Sequence, residues 1–175
     1  MIADAVLPYS GATFSDDPAQ RYRYDLWRMW STKPLLLVVM LNPSTADADR
    51  DDPTITRCRN RAQNLGYGGL VVCNLFAYRS PYPAALYRFH VGGGDAVGPG
   101  NREALETWAA AASAAWVAWG NHKLVALRER SILDLLYESK LTVSCLGLTN
   151  GGYPLHPLHV AYSVPLQRYA GRFAR

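Results

Sequence analysis

Amides and imidazoles recur in this chain where apolar runs stop. Leu35 to Leu41 ends at Asn42-Pro43-Ser44, Gly69 to Cys73 ends at Asn74, and Ala114 to Trp119 ends at Gly120-Asn121-His122. A last run, Thr142 to Gly147, leads to His156-Pro157-Leu158-His159. Behind Asn42, Ser44 and Thr45 open a loop dense in carboxylates, with Asp47, Asp49, Asp51 and Asp52. A carboxamide presents a donor and an acceptor together, and an imidazole donates to a carbonyl oxygen. Carboxylates within hydrogen-bond reach activate water. Such a set suits recognition of a base-like heterocycle. The same residues also have structural uses: asparagine caps turns after strands, and acidic side chains are favourable at the start of the next helix.

Other chemistries find less in the chain. There is no P-loop, and Gly92 to Gly94 neither follows an apolar strand nor continues as a dinucleotide fingerprint. A serine nucleophile lacks its G-x-S-x-G elbow. His156 and His159 straddle Pro157, so they do not share a regular helical face, and the acidic loop would have to complete any metal site. No metal and no cofactor is expected. Cys58, Cys73 and Cys145 have no metal-ligand spacing and read as reduced thiols. Cys73 and Cys145 lie in apolar stretches; Cys58 sits among Arg57, Arg59 and Arg61, cations that would favour its thiolate.

The elements that must carry these groups follow from periodicity. Leu35 to Met40 is continuously apolar, which fits a strand covered on both faces. Gly69 to Asn74, Ala114 to Trp119 and Thr142 to Gly147 read as three more such strands. Thr54 to Leu65 reads as a helix closed by Gly66. Asn101 is placed to cap a second helix reaching about Ala112, with Glu103 in its first turn. Leu124 to Ser139 is the third, with Leu127, Leu135 and Leu136 inward. Ahead of these, Ala12 to Phe14 and Tyr22 to Trp30 read as short strands, the second alternating Tyr22, Tyr24, Leu26 with Arg21, Arg23, Asp25 and changing register near Trp27. Between the second core strand and Asn101 the reading has only loops and a Gly-rich turn. The expected architecture is a three-layer α/β/α domain with a mainly parallel four-stranded sheet. Residues 1–175 form one domain, of which 1–33 are an N-terminal β extension and 34–165 the α/β core. Parallel order brings the strand-end loops to one edge, where ligands bind in such sheets.

At 175 residues the chain suits one full core. No window approaches the ~18 apolar residues of a membrane span, and the N-terminus lacks a basic start followed by an apolar stretch; the expectation is a cytoplasmic location, with the oligomeric state left open and a monomer as the default. The net charge of +4 resides mostly in arginines, including Arg79 and Arg88 around an aromatic stretch and Arg168, Arg172 and Arg175 at the end. Arginine near aromatics suits phosphate contact and base stacking, so the expected partner is nucleic acid or a nucleotide.

The strand endings resemble those of the uracil-DNA glycosylase superfamily. MLNPS places Asn42 where that superfamily carries Asp-Pro or Asn-Pro; GLVVCN places Asn74 at its base-reading asparagine; VAWGNHK has the form of its LLWG strand; and LHPLHV offers His156-Pro157 as its last motif. The resemblance covers roughly residues 35 to 160. More closely, the whole chain looks like a bacterial and phage family of domains of unknown function, through RYRYDLWRMW, MLNPSTADADRDDPT, GYGGLVVCNLFAYRS, AWGNH and LGLTNGGYPLHPL. The first resemblance implies a uracil-DNA-glycosylase-like fold and cleavage of an N-glycosidic bond to a modified or damaged base in nucleic acid. His156 would donate to the base, Asn42 would hold water, and Asn74 would read the base edge. Asp51 or Asp52 is an alternative general base. Ser44, Thr45, Asn121, His122 and His159 would join the pocket, Phe76, Tyr78 or Tyr153 would stack on the base beside Arg79, and Arg57 and Arg61 would hold phosphates, with Leu158 or Val160 as a wedge. Where the chain departs is also clear: Leu41 replaces a polar residue, and Leu158-His159 replaces a serine-rich continuation. Two other readings remain open: a non-catalytic nucleotide or nucleic-acid binding module, and a Mg²⁺-dependent enzyme of free modified nucleotides.

Overall fold

A computed structural model describes residues 9–172. Its centre is one mixed sheet of seven strands in the order β1-β2-β4-β3-β5-β6-β7. The strands are β1 (Ser10–Phe14), β2 (Arg23–Met29), β3 (Leu35–Met40), β4 (Gly69–Asn74), β5 (Ala114–Val117), β6 (Thr142–Cys145) and β7 (Gln167–Arg168); the helices are α1 (Pro53–Asn64), α2 (Pro83–Val91), α3 (Asn101–Ala111) and α4 (Val125–Glu138), with a 3-10 turn over Pro157–His159. Four neighbouring strands, β4, β3, β5 and β6, are parallel, and β1, β2 and β7 join antiparallel.

Successive residues of β3 face opposite sides, as strand geometry requires. Leu36, Val38 and Met40 pack with Ile55, Cys58 and Ala62 of α1. Leu37 and Val39 pack with Leu86 of α2, Leu105 and Trp108 of α3, and Val125 and Ile132 of α4. Helices therefore cover both faces, α1 on one and α2, α3 and α4 on the other. The chain moves from β3 to β4 in one direction across the sheet and then back past β3 to β5 and β6. The reversal opens a crevice between the ends of β3 and β5, the position at which such sheets bind ligands. Among the described residues, no helix is long and apolar enough to cross a membrane.

Several expectations change. Among the described residues the sheet has seven strands rather than four, because the two N-terminal strands and β7 are part of it: β2 pairs with β4 from Leu26↔Val72 to Met29↔Gly69. Being interior, β2 is not a half-buried alternating strand, and Arg23, Asp25 and Arg28 are all buried. Asp25 is satisfied by the Trp108 indole (2.8 Å) and the Thr13 backbone N–H (3.0 Å). The register shift falls opposite Tyr24, where Phe14 pairs with Arg23, and not at Trp27. Helix α2 occupies part of what reads as loop; Pro83 starts it and Gly92 caps it, a short helix that buries only Leu86. Asn101 is the first residue of α3 rather than its cap, which is Gly100. Its buried amide instead donates to the Asn74 carbonyl (2.9 Å) and accepts from Arg128 (3.0 Å), joining β4, α3 and α4. Leu127 is 61% exposed, while Leu135 and Leu136 are buried as expected. Strand β7 escapes a periodicity search because it has two residues. Residues 1–8, which include the start of the expected N-terminal extension, and Arg175 lie outside the described residues.

Candidate functional site

The crevice between β3 and β5 is a cavity of about 470 Å³, within the usual range for small-molecule sites. Met40, Leu41, Asn42 and Ser44 reach it from the end of β3, Asp52, Thr54 and Ile55 from the start of α1, and Trp119, Asn121 and His122 from the end of β5. His156, Leu158 and His159 close a further side, and Arg23, Ser80, Pro81 and Pro83 complete it.

Asn42 is held by its own backbone surroundings. Its Nδ2 donates to the carbonyls of Pro43 (3.0 Å), Tyr78 (3.3 Å) and Ser80 (3.0 Å). Three acceptors around one nitrogen fix which way the amide faces and leave Oδ1 as an acceptor. Asn42 thus ties the loop after β3 to the loop after β4.

Asp52 has two roles that the proline after it makes compatible. It is the N-cap of α1: Oδ1 accepts from the Ile55 N–H at 2.9 Å, and Pro53 fills the first helical position, where no N–H is needed. The same carboxylate lines the cavity and acts electrostatically on both Arg23 and His156.

His156 caps the 3-10 turn. Its Nδ1 accepts from the Leu158 N–H at 3.4 Å, so in the neutral ring Nε2 carries the proton. Burial, reinforced by His159 and opposed by Asp52, lowers its pKa and favours that neutral form. Gly120 allows the loop after β5 to come alongside: its φ of +69° suits glycine, its N–H donates to the Pro154 carbonyl (2.9 Å), and a Cβ there would lie 3.9 Å from His156 Cβ. His122 is a latch between loops, with Nε2 donating to the Pro83 carbonyl (3.2 Å) and Nδ1 accepting from Leu124 N–H (3.3 Å); burial lowers its pKa as well.

The structure distributes the other candidate residues more widely. Asp51 lies outside the cavity lining, paired with Arg28 (2.8 Å) and Arg59 (2.7 Å). Asp47 accepts from the N–H groups of Asp49 and Arg50 in a local turn. Among the described residues no three His, Cys, Asp or Glu side chains are grouped to hold a metal ion. Arg57 and Arg61 face inward: Arg57 donates to the Pro157 and Val160 carbonyls, and Arg61 to those of Ala161, Tyr162 and Val164. They hold the His156 segment against α1. Asn74 is 1% exposed, and both polar atoms of its side chain lack partners among the described residues; it pairs in register with Met40, one strand away from the cavity. Phe76 is in the core. Tyr78 stacks on Phe89 with ring centroids 4.0 Å apart, and Tyr153 lies under the Arg172 guanidinium. Thr45, Tyr78 and Arg79 line a second, more open cavity that shares Ser44, Ser80 and Pro81 with the first. Val160 is buried in the core while Leu158 remains at the cavity. Cys58 is fully buried; desolvation, with Asp52 adding to it, pushes its thiol pKa up despite Arg61 and Arg57, so it is no thiolate.

Among the cavity residues that sequence pattern does not single out are Arg23 and Trp119. Arg23 is hidden by an alternation that places it on a surface, and Trp119 by its position in an apolar run. Trp119 is 1% exposed, and its Nε1 is buried without a partner among the described residues. For Trp119 a signal is present: it immediately precedes Gly120-Asn121-His122.

No curated protein and no solved structure matches the chain. A family model described as "Protein of unknown function (DUF1643)" matches residues 23–158, a span that opens at Arg23 and takes in Asn42, Asp52, Trp119 and His156. With most of its length inside that match, the chain belongs to the DUF1643 family.

Proposed function

We propose that the chain is a nucleobase-recognising N-glycosidase acting on a modified or damaged base. The observation that carries this reading is the convergence of a carboxylate acceptor, Asp52, and a neutral imidazole donor, His156, on one nucleoside-sized cavity. Hydrolysis breaks the bond between the base nitrogen and C1′ and forms a bond from water oxygen to C1′. The sugar passes through an oxocarbenium-like state and the base departs as an anion, so a donor fixed at the base and an acceptor for the water are the groups required. His156 Nε2–H stabilises the leaving base. Asn42 Oδ1 accepts one hydrogen bond from the water, and Asp52 takes its proton, which passes on to the base anion. The indole of Trp119 supplies an aromatic wall.

The glycosylase resemblance of the strand endings supports the same chemistry, through Asn42 and His156 rather than Asn74. A binding module without turnover is the weaker alternative: an amide at position 42 cannot accept a proton, but Asp52 brings a carboxylate to the same cavity. The test is base release, followed by mass spectrometry, from oligonucleotides and free nucleotides carrying uracil, hydroxymethyluracil or hypoxanthine, with and without Mg²⁺. Release without metal supports the glycosidase; strict Mg²⁺ dependence moves the reading to a metal-dependent nucleotide enzyme.

A further inference from the structure

Arg23 is a charged group without a counter-ion at contact distance among the described residues. It lines the cavity at 2% exposure, its Nη1 donates to the Ala46 carbonyl at 2.8 Å, and its Nε is buried with no partner. Arg28 and Arg59 pair with Asp51, whereas Asp52 acts on Arg23 only at longer range, and Arg79 and Arg28 oppose its charge. Burial lowers its pKa to about 10, which leaves the guanidinium charged at neutral pH. Arg79 is partly buried, with its guanidinium 4.7 Å from the Phe14 ring centroid; Nη1 donates to the Gln20 carbonyl at 3.1 Å, and Nε is buried with no hydrogen-bond partner among the described residues. Arg23 lines the inner cavity and Arg79 the outer one, and the two cavities meet along Ser44, Ser80 and Pro81. Among the residues that line the two cavities, Arg21, Arg23 and Arg79 are cationic and Asp52 is the one carboxylate.

Burying an unpaired cation beside another cation is unfavourable, and a bound anion offsets both terms. A guanidinium fork matches the oxygens of phosphate, donating two parallel hydrogen bonds. We propose that Arg23 and Arg79 form a subsite for the phosphate monoester of a mononucleotide whose base occupies the inner cavity. This rests on the nucleobase reading above. A terminal phosphate is favoured over one within a strand because Arg23 is reached only through the cavity, whereas a phosphodiester must continue in two directions from its phosphate. The arginines that a nucleic-acid backbone would meet along α1, Arg57 and Arg61, already donate to carbonyls.

The experiment is isothermal titration of the full chain with four probes: deoxyuridine, its 5′-monophosphate, ribose 5-phosphate, and a single-stranded oligonucleotide with one internal deoxyuridine. The expected result is at least ten-fold tighter binding of the monophosphate than of the nucleoside, with the ratio falling below two-fold in Arg79→Ala and Arg23→Gln. Melting curves show whether Arg23→Gln is folded; if it is not, Arg79→Ala decides, since its side chain is less buried. Equal binding of nucleoside and monophosphate, or tighter binding of the oligonucleotide than of the monophosphate, overturns the subsite. Arg79-dependent binding of ribose 5-phosphate without any nucleoside binding keeps the phosphate subsite and removes the nucleobase reading. No binding of any probe overturns both.

Discussion

Arg57 donates from Nη2 to the carbonyl oxygen of Val160 at 2.6 Å and from Nε to that of Pro157 at 3.2 Å, bridging 100 and more residues of sequence. With Arg61, one turn on, it makes α1 and the His156 segment a single unit. Asp52 is the N-cap of α1, so the arginines that hold the His156 segment against α1 also fix it relative to the Asp52 carboxylate.

Replacing Arg57 by alanine removes no group from the cavity, and it is expected to lower the proposed base release. Charge-assisted hydrogen bonds of this kind contribute about 2 kcal/mol to stability, and Arg57→Ala is expected to lose roughly that amount in a denaturant titration. Arg57→Lys, which keeps the charge but not the fork, does not restore it.

The pH dependence of stability follows from the depressed pKa values of His156 and His122. Above their unfolded value of about 6.5 both rings are neutral whether folded or not, and their contribution is complete. As pH falls below that value the unfolded chain binds protons first, so stability declines toward the lower folded pKa values and then levels off. Tm measured from pH 8 down to pH 5 should fall on the acid side. The fall should be shallower in His156→Ala, and an unchanged slope would show that His156 does not contribute to it.

Thiol chemistry separates the structure from a charge-based reading of the sequence. Cys58, Cys73 and Cys145 are all buried, and burial raises the pKa of Cys58 and Cys73. None should be labelled by a maleimide in the native protein, and all three should be labelled in denaturant. Rapid native labelling of Cys58 would contradict its burial.

Gly120 offers a backbone test. At φ +69° an alanine is strained by about 1–2 kcal/mol, and Gly120→Ala should lower the denaturation midpoint correspondingly while weakening catalysis through the neighbouring His156 loop.

The parallel core was legible because β3 and β4 are buried on both faces, and a run such as LLLVVM has few other uses. The site was legible in part for the same reason: Asn42 and His122 follow such strands and so had to lie at the sheet edge. Position 23 was not legible, since a buried arginine in RYRYDLW has the pattern of a surface strand until the pairing of β2 with β1 and β4 is known. The inward commitment of Arg57 and Arg61 was hidden too, because their acceptors are backbone carbonyls a hundred residues away. Asp51 and Asp52 are adjacent and chemically identical; only the start of α1 distinguishes the one bound by arginines from the one at the cavity.

The most direct measurement compares base release by the wild type and Asp52→Asn under single-turnover conditions. Asparagine is an equally good helix cap, so the variant keeps the N-cap of α1 and loses only the carboxylate. The expected result is a fall of at least about 100-fold, the lower range for a general base, with Tm little changed. Full activity in Asp52→Asn, or no base release by the wild type from any substrate, would contradict it.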